Sequence, residues 1–507
     1  MQAYEGLTAY YGDLHNHCDI SYGHGSLDAA FQNAREQLDF CSVTGHALWP
    51  DMPEPDKKIQ YIVDFHQAGF ARLRERWPEV QRTTAAYHRD GEFVTFLSFE
   101  MHSCADGDYT ILYGGAEGDI LEVDGLAGLR ERARALRDGG TAVLAFPHHI
   151  AYRRGQRGIN WANFDEDLSP VVEILSMHGC SEADEVPRPF LHVMGPSDHE
   201  GTMWYGLDRG HFFGVLGSTD HHSAFPGSYG HGRTGVWAQA KTRAAIWDAL
   251  CARRAVALTG DRIEVRFAVN GRPMGSRLRS TRRREIAFHV GGGAPIDYVD
   301  VVKNSALLRR ISRCDVWRED DADVVRTKLA LDVGWGERGV RVDWEVRLNI
   351  SDGSILAVEP RFRGPEVVAP TESTPESAIG HHLSRWASDG PRGVWFRTST
   401  FGNPNTRTPA MQGICLEVEM PIRATVRATV NGREVEMPLA RLMEGARAGR
   451  LGKIASGAYR FHRAPKEWEF NWAAAFDDVG EDGDVYALRV RQINDQWAWS
   501  SPVVVGR

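Results

Sequence analysis

Phe93-Val94-Thr95-Phe96-Leu97-Ser98-Phe99-Glu100 is an unbroken, largely apolar run that closes on a carboxylate. A short run of this composition reads as a strand buried on both faces. The same grammar recurs along the first half. Phe40–Val43 leads to Thr44-Gly45-His46, Ala142–Phe146 to Pro147-His148-His149, Val171–Leu175 to His178, and Phe212–Leu216 to Asp220-His221-His222. Asp13-Leu14-His15-Asn16-His17 adds two imidazoles that face the same way if the backbone is extended. Between these runs the apolar period changes. Leu27, Ala30, Phe31, Ala34 and Leu38 form one helical stripe behind a Ser26 cap, and Leu126–Leu136 and Thr242–Ala252 read likewise. Strands alternating with helices predict an α/β fold with a mainly parallel sheet, open or closed into a barrel.

Six segments thus deliver a His, Asp or Glu at one end, the C-terminal one, where parallel α/β folds assemble their sites. Histidine is also unevenly spread: sixteen of the twenty lie at or before His231. Solvated surface histidines would not respect strand ends. The pattern points to a cluster that holds metal ions.

After Thr259-Gly260 the grammar turns to β. Ile263–Val269 alternates and meets Asn270-Gly271, and Thr425–Val430 meets Asn431-Gly432, so both predict hairpins. Residues 261–507 are read as a mostly β, sandwich-like domain following a domain at 1–260, with long loops at about 360–412, where Pro, Ser, Thr and Gly concentrate.

The chain has 507 residues and a formal net charge of −9. It carries no basic block, which argues against nucleic acid as a partner. The seven cysteines never form a CxxC pair, and no apolar stretch approaches membrane-spanning length. No basic and apolar leader opens the chain, so a reducing cytoplasm is the expected location.

Asp-Leu-His-Asn-His, Thr-Gly-His, the strand-end Glu and Ser-Thr-Asp-His-His resemble the motifs of the PHP superfamily, named for polymerase and histidinol phosphatase. The resemblance spans about residues 8–260. The segments Arg262–Ser276 and Tyr486–Val505 are similar to a subgroup known as domain of unknown function 3604, related to bacterial carbaryl hydrolases. The resemblance implies a distorted (β/α)7 barrel with two or three divalent ions, of zinc, manganese or iron. It places His15, His17, Glu100 and Asp220 on one ion. Glu100 would bridge to a second, completed by His178 and by His148 or His149. His24, His46 and His222 would hold a third. Two departures stand out: Gly45 replaces the usual Asp before His46, and Pro147 precedes rather than follows its histidine.

Imidazole and carboxylate donors without thiolate suit those metals. Ions bridged by Glu100 would lower the pKa of a shared water and polarise a scissile bond. Asp220, Glu100 and His222 are the expected catalytic residues. Arg233, Arg153 and His231 are the expected contacts for a substrate anion, Arg233 foremost, with Gly227–Gly235 a loop over the pocket and Arg154 and Arg157 nearby. His102 is a secondary candidate. Trp161 and Trp204 are candidates for a pocket wall, His192, His199 and His211 form a looser group, and His66 and His88 are expected on the surface. The expected partner is a small-molecule ester, and the expected activity is hydrolysis of a phosphoester. A carbamate or aryl ester, or a binding protein with structural metals, are the alternatives.

Overall fold

The structure is a computed structural model that describes residues 1–191, 194–319, 322–367, 376–403, 406 and 408–506. The first half contains strands β1 (Thr8–Asp13), β2 (Phe40–Ser42), β3 (Gly45–Leu48), β4 (Val94–Met101), β5 (Asp108–Tyr113), β6 (Val143–His148), β7 (Val171–Ser176), β8 (Gly179–Cys180), β9 (Gly214–Gly217), β10 (Arg233–Ala238) and β11 (Ala255–Leu258). Helices α1 (Leu27–Arg35), α2 (Gln60–Tyr87), α3 (Leu126–Asp138), α4 (Met203–Asp208) and α5 (Arg243–Cys251) lie between them. Helices α1 and α5 start on side-chain caps. The Ser26 side chain accepts from the Ala29 amide, and Thr242 from Ala245, each satisfying a donor that helix geometry leaves unpaired. In α1 the predicted stripe of Leu27, Ala30, Phe31 and Ala34 is buried. In α2 Val63, Phe70, Leu73, Trp77 and Val80 are buried in the same way.

Strand directions differ from the mainly parallel expectation. β1–β2, β2–β4, β3–β4 and β7–β9 are parallel, whereas β4–β5, β5–β6, β1–β10 and β10–β11 are antiparallel. The cause is partly connection length. Residues 102–107 are too few for a crossover, so β5 must return beside β4. The result is a mixed α/β fold rather than a regular alternation of strand and helix. β7 packs beside β6 and β9 beside β11, which brings the ends of β1, β3, β4, β6, β7 and β9 towards one centre.

The second half is β-rich, as expected. Ser354–Arg361, Gln412–Pro421, Val324–Trp335, Gly457–Phe461 and Arg447–Arg450 form one five-stranded sheet. It shares an apolar core with a second five-stranded sheet centred on Val342–Ile350 and Gly393–Thr400. A four-stranded sheet built on Glu264–Val269, Arg283–Gly291 and Asn471–Val479 packs against strands from the end of the chain. Both predicted hairpins are present. Asn270 and Gly271 (φ 48° and 70°), and Asn431 and Gly432 (φ 47° and 79°), take the left-handed conformations of a two-residue turn. The expected long loop at 360–412 is partly strand, since Arg385–Ser388 and Gly393–Thr400 lie inside it, while 368–375 lies outside the described residues. Among the described residues no helix is long and apolar enough to cross a membrane.

Candidate metal centre

Three segments are tied together by backbone hydrogen bonds before any side chain meets. Asp220 N–H donates to the His15 carbonyl, His17 N–H to His221, and His24 N–H to His222, each at 2.8 Å. The buried Asp13 carboxylate closes the junction by accepting from Thr219 N (3.1 Å), Thr219 Oγ1 (2.5 Å) and Gly227 N (2.8 Å). His149 and Asp220 both have φ of 51°, the left-handed region. Non-glycine residues accept that conformation where the surroundings hold them, often at functional sites.

The side chains then converge. His15 Nε2 and His17 Nε2 stand 3.1 Å apart. Asp220 Oδ1 lies 3.4 and 3.0 Å from them, and Glu100 Oε2 lies 3.4 Å from each. The second oxygen of each carboxylate faces other imidazoles. Asp220 Oδ2 is 2.9 Å from both His149 Nε2 and His178 Nε2, and Glu100 Oε1 is 3.1 Å from His148 Nε2. His17, His46 and His222 form a further group close enough to share an ion.

The outer ring nitrogens explain why the inner ones point inward. His17 Nδ1 lies 2.8 Å from the Thr44 carbonyl and His222 Nδ1 lies 2.9 Å from the Asp220 carbonyl. A carbonyl only accepts, so each Nδ1 carries the proton and each Nε2 is left with a lone pair. His15 Nδ1 is held by Glu173 Oε2 at 3.1 Å, and His46 Nδ1 by Ser21 Oγ at 3.0 Å. Outer partners of this kind fix ring orientation around metals. His15 Nε2 and His17 Nε2 meet at 3.1 Å beside two carboxylates, a pairing that calls for a cation, either a proton on His15 or a metal ion. Glu100 Oε2 is moreover buried without a hydrogen bond. The residues fit bound metal.

Electrostatics follow the crowding. Burial opposes ionisation of Glu100 and Asp220, yet the imidazoles around them hold both carboxyls well below the usual range. Burial also works against a charged His15, but Asp220 and Glu173 raise it well above an ordinary imidazole. Burial lowers His46 and His222 well below theirs, and brings His149 down to about 3. Ligation needs neutral imidazoles beside ionised carboxylates, the state of His46, His149 and His222 here, while at His15 a metal ion would take the place of the proton.

Of the predicted ligands, His15, His17, His46, Glu100, His148, His149, His178, Asp220 and His222 come together. His178 Nε2 lies 2.9 Å from Asp220 Oδ2, beside His149. His24 is differently placed: its Nδ1 lies 2.7 Å from Glu376 Oε2 of the second half, while its Nε2 is buried without a partner. Gly45 has a structural reason. A Cβ there would lie 2.4 Å from Leu73 Cδ1 of α2, so any side chain at this position has to displace Leu73.

The predicted anion contacts need correction. Arg233 is fully buried, and its guanidinium donates to the Gly227 and Gly260 carbonyls and to Gln37 Oε1, so it braces the Gly-rich turn and its fork is taken up by the protein itself. Arg153 and Arg154 are exposed after the His149 turn and are not in the wall of the cleft that holds His178. His231 does line a cleft, with Nε2 3.5 Å from Glu366. Trp161 is stacked on Phe213, Trp204 donates to buried Glu182, and both belong to one apolar core. His66 is not a free surface residue, because its ring packs on Tyr22, Trp49 and His102. His199 is exposed, His211 stacks on Trp161, and His192 lies outside the described residues.

Four residues join the centre without strand-end signals. Glu173 sits inside β7. Asp108 opens β5 and pairs with Arg157, whose Nη2 also lies 2.6 Å from His102 Nδ1. Tyr22 OH lies 3.0 Å from His102 Nε2. His102 in turn is 3.2 Å from Glu100 Oε1, so this network backs the cluster.

A family model described as "Protein of unknown function (DUF3604)" matches residues 228–283, the junction between the halves. Proteins of Chlamydia trachomatis and Chlamydia muridarum, both described as uncharacterized, are 32% and 31% identical to this chain over 183 residues. Each match takes in 33% of this chain and 29% of the relative, so the chain spans less than a third of their length. A Bacteroides vulgatus crystal structure, of a two-domain protein containing a predicted PHP-like metal-dependent phosphoesterase, aligns at 14% identity and a TM-score of 0.32. The alignment covers 59% of this chain and 80% of that one.

Proposed function

We propose that the chain is a metal-dependent hydrolase acting on a phosphoester of a small molecule. The observation that carries this reading is the inward convergence of His15 Nε2 and His17 Nε2 on Glu100 Oε2 and Asp220 Oδ1, with the outer nitrogens of both rings already engaged. Zinc, manganese or iron bound there would supply a hydroxide at neutral pH and polarise the scissile bond. Glu100 and Asp220 each offer two oxygens to different imidazole sets, which suits neighbouring ions. His148, His149 and His178 would complete the second position, and His46, His222 and His24 the third. Arg157, Asp108 and His102 hold Glu100 in place from behind.

The number of donors speaks against a purely structural site, which is commonly a closed cage of four. A carbamate or aryl carboxyl ester would use the same hydroxide, and substrates decide between them. Metal analysis of purified protein should find divalent ions. Activity should follow on p-nitrophenyl phosphate or a phosphodiester, and Asp220→Ala should abolish it with the fold intact by circular dichroism. Turnover of 1-naphthyl acetate or a naphthyl carbamate alone would reject the phosphoester, and metal-free, inactive protein would reject the hydrolase.

A further inference from the structure

A cleft of about 1080 Å³ runs between the halves, and His178 of the cluster lies in its wall. Tyr229 and His231 line the same side, and Asp332, Arg363 and Arg460 come from the second half. Several of its cations are already neutralised. Arg361 pairs with Asp261 at 3.0 Å, Arg463 with Glu469 at 2.7 Å, and Lys328 with Glu417 at 2.5 Å. Arg363 and Arg460 have no carboxylate in ion-pair contact among the described residues. Asp332 and Asp261, the carboxylates whose fields Arg363 feels, are engaged by His462 Nε2 at 2.7 Å and by Arg361 at 3.0 Å.

Arg363 is also held in place. Its backbone N–H donates to Gln412 Oε1 at 2.7 Å, its guanidinium donates to the Met411 carbonyl, and it lies over the Tyr229 ring at 4.6 Å. Its Nε is buried and without a hydrogen bond. A guanidinium keeps its charge in any protein environment, and a half-buried one without a counter-charge is costly. Such a group is commonly completed by a bound anion, for which its planar fork is suited.

We propose that this cleft binds an organic anion through Arg363, assisted by Arg460, and leads it to the metal centre at His178. The assignment of the anion as substrate rests on the hydrolase reading, whereas the anion site does not. Its chemistry is that of a phosphate or carboxylate group on a small molecule.

The test is titration calorimetry on full-length, chelator-treated protein with phenyl phosphate and with benzoate. Wild type should bind at least one of them, and the tighter of the two identifies the anionic group. Arg363→Gln should weaken binding about tenfold or more, the size of a lost charge-assisted hydrogen bond. Arg363→Lys, which keeps the charge but not the fork, should weaken it less. Arg460→Gln changes an exposed residue and should weaken binding a few-fold even if Arg363 variants fail to fold. Asp220→Ala, which leaves the cleft cations in place, should still bind. Unchanged affinity in folded Arg363→Gln and in Arg460→Gln, or no binding by wild type, overturns the proposal. Arginine-dependent binding by a protein that takes up no metal would instead sink the hydrolase reading alone.

Discussion

Glu173 shows what a single residue does in this site and why it was hard to find. Its carboxylate lies 3.1 Å from His15 Nδ1, with His15 fully buried, so it fixes which imidazole nitrogen faces the cluster. Replacing it by Gln keeps the size but removes the charge that supports His15. Metal affinity should fall about 10–100-fold, as for other outer partners of metal-bound histidines. Competition with a chromogenic chelator measures this, and unaltered affinity would show that the Glu173 charge does not matter. The residues of the cluster itself were legible because they end apolar runs. Glu173 was not, because it stands in the middle of one, where a carboxylate marks no strand end and its partner is 158 positions away. Arg233 failed for a related reason. An Arg in a Gly-rich stretch reads the same whether its fork takes an anion or backbone carbonyls.

At the level of elements, α2 matters more than its Arg-rich sequence implies. It brings Leu73 against Gly45 and sets His66 among Tyr22, Trp49 and His102, which backs Glu100. Its amphipathic period was readable, but not which surface it would cover. Burial brings His66 to about 3, as it does His149. In the unfolded chain both rings take up a proton near the ordinary value of about 6.5. Protons therefore favour the unfolded chain between about pH 6.5 and 3, and stability falls as pH falls through that window. His15 does not oppose this, since a raised imidazole makes its full contribution below pH 6.5. The melting temperature of chelator-treated protein should drop between pH 6 and 4, and His66→Gln should make the drop shallower. Equal slopes for the two proteins would exclude His66 as a source.

On the scale of the whole molecule, the change of grammar near residue 260 does not mark where contacts stop. Trp497–Ser500 pairs antiparallel with β11, Val256 opposite Ser500 and Leu258 opposite Ala498. Trp497, Trp499 and Val504 share a core with Trp204, Val215 and Ala257, and Trp499 Nε1 donates to buried Glu182 Oε2 at 2.7 Å. Alternating apolar residues announce these last strands in the sequence, but not the edge they join, because pairing across more than 200 positions leaves no local signature. The consequence is testable. A chain ending at residue 260 would expose the edge of β11, leave Glu182 without Trp499 and Arg489, and uncover several large apolar side chains. At about 1.5–3 kcal/mol for each such side chain, the loss rivals the whole stability of an ordinary domain. That fragment should be insoluble or lack a cooperative thermal transition, even with zinc added. A folded 1–260 fragment with the metal affinity of the full chain would show instead that the second half serves the cleft alone.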